Sequence, residues 1–288
     1  PRMPGSSTRR ARAVSSTTSL RHQSEAQGRT TATTKRPSIS FHLAPSKRHR
    51  GRHNWVMPAR RVFITGVGRG LGRAIAARLA DEGSEVWGST RGGSCELDLA
   101  GCVALDLAIE SSGVAGIGDL RAHVESIDLL INCAGVDARA FGYPKDGSGP
   151  FDFDADTFAA VLNVNVTGPM VVTREALPLL RAGTDPMILN VSSQLGSMQV
   201  AARKGRDTAY CVSKAALNML GVKTAAALQD EGIGVVMLHP GWVQTDMGGP
   251  AAPLGVDEAV SAIVDTIGGL SLADTGRFVR WDGHDHPW

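Results

Sequence analysis

The sequence predicts an α/β protein: a doubly wound, mostly parallel seven-stranded sheet with helices on both faces. Three observations carry the prediction. Short apolar, β-branched runs alternate along the chain with longer segments of helical periodicity. The first such run passes through a glycine-rich turn straight into a helix. Finally, 288 residues suit one large α/β domain or two small ones, and 42% hydrophobic with 20% charged content lets most of the chain bury a core.

Arg61–Thr65 (RVFIT) reads as the opening strand. Over Gly70–Glu82, Leu71, Ile75 and Leu79 recur at helical spacing, and Gly83 supplies the stop. Glu85–Ser89, Cys102–Leu105 and Asp128–Asn132 (DLLIN) are the next strands. Asp156–Leu180 and Thr208–Asp230 read as long helices, with Met187–Val191 and Gly234–Leu238 as buried strands after each. Asp257–Ile267 is a helix and Arg277–Trp281 the last strand. Residues 106–127 receive no element. Strands separated by helices of this length imply parallel pairing.

No apolar run reaches the ~18 residues that a membrane-spanning helix needs, which argues against an integral membrane protein. Cys95, Cys102, Cys133 and Cys211 form no CxxC pair. That weakens a disulfide scaffold or zinc site and fits a reducing, cytoplasmic compartment. His284 and His286 resemble a metal pair only in spacing and are assigned to chain-end surface, so no metal is expected.

The net charge of +2 conceals a split. Residues 1–56 hold 12 Lys/Arg against the single acid Glu25; residues 57–288 hold 18 Lys/Arg against 27 Asp/Glu, which is −9. A nucleic-acid function would rest on the first segment alone. Its 16 Ser/Thr and lack of hydrophobic periodicity leave too little apolar surface to offset ordering, so it is expected to be disordered. Three readings of it stay open: an organellar targeting peptide, a basic arm for polyanions, or a stretch outside the functional protein, which would then start at Met57. The working domain is expected over 57–288. Deleting residues 1–56 should therefore leave thermal stability and turnover unchanged and drop the pI. A melting temperature several degrees lower in the truncation would contradict this.

Thr65-Gly-Val-Gly-Arg-Gly-Leu-Gly72 joins the first strand to the first helix. Glycines let backbone N–H groups approach a pyrophosphate, and the helix N-terminus adds partial positive charge. About twenty residues on, dinucleotide folds place the group that reads the adenosine ribose. Here that place holds Ser89-Thr90-Arg91 rather than an acid. A guanidinium suits a 2′-phosphate, with a hydroxyl adding a bond, and Arg69 offers a second cation. The cofactor call is therefore NADP(H) over NAD(H).

Tyr210-Cys-Val-Ser-Lys214 opens the helix at Thr208, with its phenol and ammonium one turn apart on one face. A nearby ammonium favours phenolate and is expected to lower the phenol pKa from ~10. Such a Tyr can pass a proton to or from an alcohol oxygen. Ser192 and Ser193 follow the Met187–Val191 strand at the carboxyl edge, where open α/β sheets bind ligands.

These motifs together resemble the short-chain dehydrogenase/reductase family, over residues 60–288 and in the family's order. Thr65, Gly66, Gly68, Arg69, Gly70, Leu71 and Gly72 make up its TGxxxGxG cofactor turn. Asp106 matches the Asp that bonds the adenine amine, and Asn132, Ala134 and Gly135 match the NNAG segment beside the cofactor. Asn165 matches the catalytic-helix Asn; Ser193, Tyr210 and Lys214 match the Ser-Tyr-Lys set. Pro240, Gly241, Val243 and Thr245 fall in the PG segment whose Thr contacts the nicotinamide carboxamide. His239–Gly249 (HPGWVQTDMGG) and the ending Asp282–Trp288 are similar to C-factor and sniffer-type carbonyl reductases.

The resemblance implies a Rossmann fold and reversible interconversion of a carbonyl and an alcohol. Tyr210 would be the acid/base, Ser193 would orient the oxygen, Lys214 would bind the ribose, and Asn165 would support the proton relay. A catalytically silent cofactor-binding signalling or scaffold protein is the alternative. The resemblance also implies a homodimer or homotetramer joined through the helices near Asp156 and Thr208. Leu217, Met219, Leu220, Val222 and Ala225–Leu228 exceed one buried stripe.

Three departures stand out. Cys133 replaces the second Asn of NNAG, and a thiol bonds more weakly. The interval from Ser193 to Tyr210 is long, with Arg203, Lys204 and Arg206 in an expected exposed loop. Pro169 lies four residues after Asn165, so the Asn165 carbonyl loses its helical donor and the helix is expected to kink.

Overall fold

The computed structural model describes residues 59–144, 149–203 and 205–288. The segment 1–56, its expected disorder and Lys204 lie outside the described residues. Seven strands form one sheet: β1 Arg61–Thr65, β2 Glu85–Thr90, β3 Gly101–Ala104, β4 Leu129–Asn132, β5 Met187–Val191, β6 Gly234–His239 and β7 Phe278–Arg280. Their order is β3-β2-β1-β4-β5-β6-β7, and every neighbouring pair is parallel. The fold is thus the doubly wound one expected, with the order reversing between β1 and β4.

The helices are α1 Gly70–Asp81, α2 Glu110–His123, α3 Ala155–Leu162, α4 Gly168–Arg181, α5 Met198–Ala201, α6 Thr208–Leu228 and α7 Val256–Gly269. Successive strand residues face opposite layers. Val62 and Ile64 pack with Ile75 and Leu79 of α1 and with Val260, Ile263 and Ile267 of α7. Phe63 faces the other layer, with Ile117 and Leu120 of α2, Val172 and Leu179 of α4, and Leu228 of α6. Among the described residues no helix is long and apolar enough to cross a membrane.

Besides the single-turn α5, which falls in a stretch read as a connection, two elements differ from the sequence reading. α2 occupies a stretch left without an element, because Gly113, Gly116 and Gly118 each weaken helix propensity by about 1 kcal/mol. Packing outweighs that cost. A Cβ at Gly113 would come within 2.8 Å of Val171 Cγ1, and one at Gly116 within 2.6 Å of the Ala104 carbonyl oxygen. Only glycine lets α2 lie this close to α4 and β3.

The expected single helix 156–180 is two helices joined by a π-helical turn, Asn163–Thr167. There the Gly168 N–H reaches back five residues to the Asn163 carbonyl. Pro169 follows immediately and has no N–H to give Asn165. The interruption is therefore an inserted wide turn rather than a proline kink alone, a form found often at functional sites.

Candidate active site

β1, β2, β4 and β6 end at or beside residues singled out in the sequence: Thr65, Thr90, Asn132 and Pro240. Asp106 lies two residues beyond β3 and Ser193 two beyond β5. All therefore collect at the carboxyl edge of the sheet.

The glycine turn folds back on β2. Gly66 and Val67 both donate to the Ser89 carbonyl at 3.0 Å. Gly66 has φ +80°, and a Cβ there would lie 2.8 Å from the Ala134 Cβ. A Cβ at Gly72 would sit 2.4 Å from the Gly66 carbonyl oxygen. Side chains are thus excluded where strand, turn and helix meet. Arg69 precedes α1 without a side-chain cap, and the first helical turn holds no acid. The leading N–H groups of α1 keep their affinity for an anion, which is the chemistry a pyrophosphate requires.

Thr65 links this turn to the end of β4, its Oγ1 accepting from Cys133 N at 3.1 Å and Ala134 N at 3.2 Å. The fully buried Asn132 amide donates to Asn190 Oδ1 at 2.9 Å and Thr173 Oγ1 at 3.2 Å. Burial pushes the Cys133 thiol up to about 12, so it is a neutral packing group beside Gly72.

At the adenosine end, Thr90 closes its own turn by donating to the Ser94 carbonyl at 2.9 Å. The Gly68 position abuts the Thr90 methyl group. Arg91 is exposed just past β2. Arg69 reaches Asp246 at 3.6 Å, both largely in solvent, so the pair contributes little to stability. Asp106 Oδ1 accepts from Ala108 N at 2.9 Å.

α6 carries Tyr210 and Lys214. The buried Lys214 ammonium donates to the Val191 carbonyl at 2.8 Å and lies 5.6 Å from the centre of the Tyr210 ring. Burial pulls its pKa down to about 8. Tyr210 behaves differently from expectation. Burial, and then the Asp137 carboxylate, hold its pKa above the usual tyrosine value, while a hydrogen bond with Ser193 opposes them. The nearby ammonium does not win, because desolvation weakens its own charged form.

Asn165 is fully enclosed. Its Oδ1 accepts from Val136 N at 2.8 Å, while Nδ2 donates to Val136 O at 2.7 Å and Ser213 Oγ at 2.9 Å. The side chain therefore ties the chain leaving β4 to Ser213 of α6. A Cβ at Gly135 would stand 3.2 Å from Asn165 Oδ1 and 3.4 Å from Lys214 Nζ.

Gly241 has φ +88° and starts the segment that carries Val243 and Thr245. Val243 bridges Leu254, and Trp242 Nε1 donates to Gly248 O at 2.8 Å. Arg139 Nη2 reaches the Met247 carbonyl at 2.7 Å and also holds Asp137. Asp137, Arg139, Phe153 and Asp207 line a small cleft at Tyr210. Arg203 and Arg206 are exposed, and Arg206 pairs with Asp207 at 3.8 Å.

Asp137, Arg139, Asn190 and Ser213 were not singled out in the sequence. Asn190 alone carried a signal, as a polar residue within the buried run MILNV. His286 corrects an expectation: it is buried against Phe278 and His239 rather than on the surface, while His284 is exposed. No metal-ligating cluster occurs among the described residues.

Replacing Asp137 by Asn removes a negative charge that disfavours phenolate, so the Tyr210 pKa should fall. If the protonated phenol serves as the acid of a catalysed step, as the family resemblance implies, the alkaline decline of kcat/KM should move to lower pH. The pH profile of the variant checks this, and an unmoved decline would separate Asp137 from Tyr210.

The model of the short chain dehydrogenase family matches residues 60–253. The chain belongs to this family. Among individual relatives, C-signal of Myxococcus xanthus is 40% identical over 164 residues, covering 56% of this chain and 93% of C-signal. Carbonyl reductase Sniffer of D. melanogaster superposes with a TM-score of 0.71 at 29% identity, over 80% of this chain and 100% of that one. The NADPH-bound carbonyl reductase from chicken fatty liver gives 0.70 at 27% identity, over 81% and 100%. The family resemblance drawn from the motifs, including its C-factor and sniffer flavour, therefore holds.

Proposed function

We propose that the chain is an NADP(H)-dependent reductase that interconverts a small-molecule carbonyl and its alcohol. The observation that carries this is the buried Lys214 ammonium 5.6 Å from the centre of the Tyr210 ring, with Ser193 hydrogen-bonded to that phenol. A buried ammonium costs stability, and such groups concentrate where chemistry uses them.

In this reading Thr65, Gly66, Gly68, Arg69, Gly70, Leu71 and Gly72 hold the pyrophosphate, and Thr90 and Arg91 hold the 2′-phosphate. Asp106 receives the adenine amine. The segment holding Asn132, Ala134 and Gly135 and the one holding Pro240, Gly241, Val243 and Thr245 would lie beside the nicotinamide, and Lys214 would bind its ribose. The bound nicotinamide supplies the hydride. Ser193 donates a hydrogen bond to the substrate oxygen and orients it toward Tyr210. Tyr210 then gives its proton to that oxygen, and Lys214 with the Asn165 carbonyl returns one from solvent. The NADPH named for the chicken carbonyl reductase supports the cofactor choice. NADPH oxidation over a panel of aldehydes, ketones and quinones tests the whole reading. Tight NADPH binding without turnover of any of them would favour the non-catalytic signalling reading, toward which the likeness to C-signal points.

The same reading includes a homodimer or homotetramer. Leu217, Ala225 and Leu228 belong to the chain's own core, which corrects part of the sequence argument. Val212 and Met219 on α6 and Met170 on α4 nevertheless stay exposed. Light scattering at micromolar concentration should report a dimer or larger, and a monomer would reject the interface. The four free thiols support a reducing, cytoplasmic setting.

A further inference from the structure

His239 closes β6 behind the segment that carries Ser193, and the residue is 7% exposed. Its Nδ1 accepts two backbone N–H groups, from Gln194 at 3.1 Å and from Gly241 at 3.4 Å. Two donors aimed at one ring nitrogen require that nitrogen to be unprotonated, which puts the ring proton on Nε2.

The two donors belong to different parts of the site. Gln194 directly follows Ser193, whose hydroxyl accepts from Leu195 N at 3.1 Å. Gly241 opens the segment that runs to Thr245, with no room for a side chain: a Cβ would lie 2.4 Å from Leu254 Cδ1. β5 and β6 are parallel neighbours, so their carboxyl ends leave side by side, and the imidazole spans the gap.

We propose that His239 is a positioning residue for the reaction: its neutral Nδ1 ties the Ser193 segment to the Pro240–Thr245 segment and sets both in one register. The inference rests on the catalytic reading of Ser193 and Tyr210. The surroundings preserve the acceptor. The His286 ring stands edge-on at 5.1 Å and is itself packed on Phe278 at 4.6 Å. The His286 N–H donates to the Phe278 carbonyl at 2.8 Å, so the chain's last residues shield the ring from water. Burial, with His286 and Arg280 acting the same way against Asp282, pulls the His239 pKa down to about 3. The ring therefore stays neutral and accepting near neutral pH. Losing the tie would free the 193–194 peptide to turn, and a misplacement of about 1 Å can cost about a hundredfold in rate.

The test uses three variants of the full chain. His239→Asn keeps an acceptor at the Nδ1 place, His239→Leu removes it at similar volume, and His239→Gln puts an amide at the Nε2 side. Measured are backbone amide exchange at Gln194 and Gly241 without cofactor, then kcat and KM for a carbonyl substrate. H239N should retain amide protection and a kcat within about threefold of wild type. H239L should lose protection at both amides and about thirtyfold or more in kcat, with KM little changed. If H239L does not fold, H239Q carries the comparison with the same expected losses. Equal impairment of H239N and H239L, or protection retained in both, would overturn the proposal. If wild type turns over no carbonyl, the catalytic reading fails, and amide exchange still decides whether His239 ties the two segments.

Discussion

Tyr210→Phe should cut turnover by about a thousandfold, or about 4 kcal/mol of barrier, with NADPH affinity changed by less than about twofold. The variant removes a single oxygen, the one through which the proton moves. It leaves the ring where it packs, 5.6 Å from the Lys214 ammonium. None of the groups assigned to the pyrophosphate or adenosine touches that oxygen. Ser193 loses its phenol partner but keeps the Leu195 N–H. Steady-state kinetics and a fluorescence titration with NADPH check the two halves separately. Wild-type kcat in the variant would remove Tyr210 from the mechanism. Loss of both turnover and binding would show that the hydroxyl is structural.

Arg91→Asp should turn cofactor preference from NADPH toward NADH, changing the ratio of kcat/KM values by about a hundredfold. The substitution exchanges attraction for repulsion at a 2′-phosphate and offers a 2′-hydroxyl an acceptor. Arg91 is exposed past the end of β2, so the fold should tolerate the change. Arg69, whose pair with Asp246 is solvent-exposed, offers a second cation, so a remnant of NADPH preference is expected to persist. An unchanged ratio would reduce Arg91 to ordinary surface charge. Arg69→Ala, assayed beside it, would then show whether that cation reads the phosphate instead.

The glycine turn and the Tyr210–Lys214 pair were legible because each is local. A turn after a strand needs glycine for reasons present within eight residues. A four-residue interval puts two side chains on one helix face whatever the rest of the chain does. The direction of the Tyr210 shift was not legible. It depends on burial and on Asp137, which approaches from the loop after β4. The buried state of His286 was hidden for the same reason, since chain ends are exposed by default and only Phe278 and His239 cover this one.

By itself, then, the sequence determined the alternation of strand and helix, the parallel sheet, and the local motifs that place the chain in its family. The tertiary structure alone decided the rest. α2 forms through three glycines because two of them allow contacts with Val171 and Ala104, more than fifty residues away in the first case. A π-helical turn interrupts the helix at Asn165, whose side chain is spent on Val136 and Ser213. His239 joins two segments whose donors lie 45 residues behind it and two ahead. Propensity and periodicity report energies between near neighbours. These features arise from close approach, desolvation and hydrogen bonds between distant ones, which exist only once the sheet has assembled.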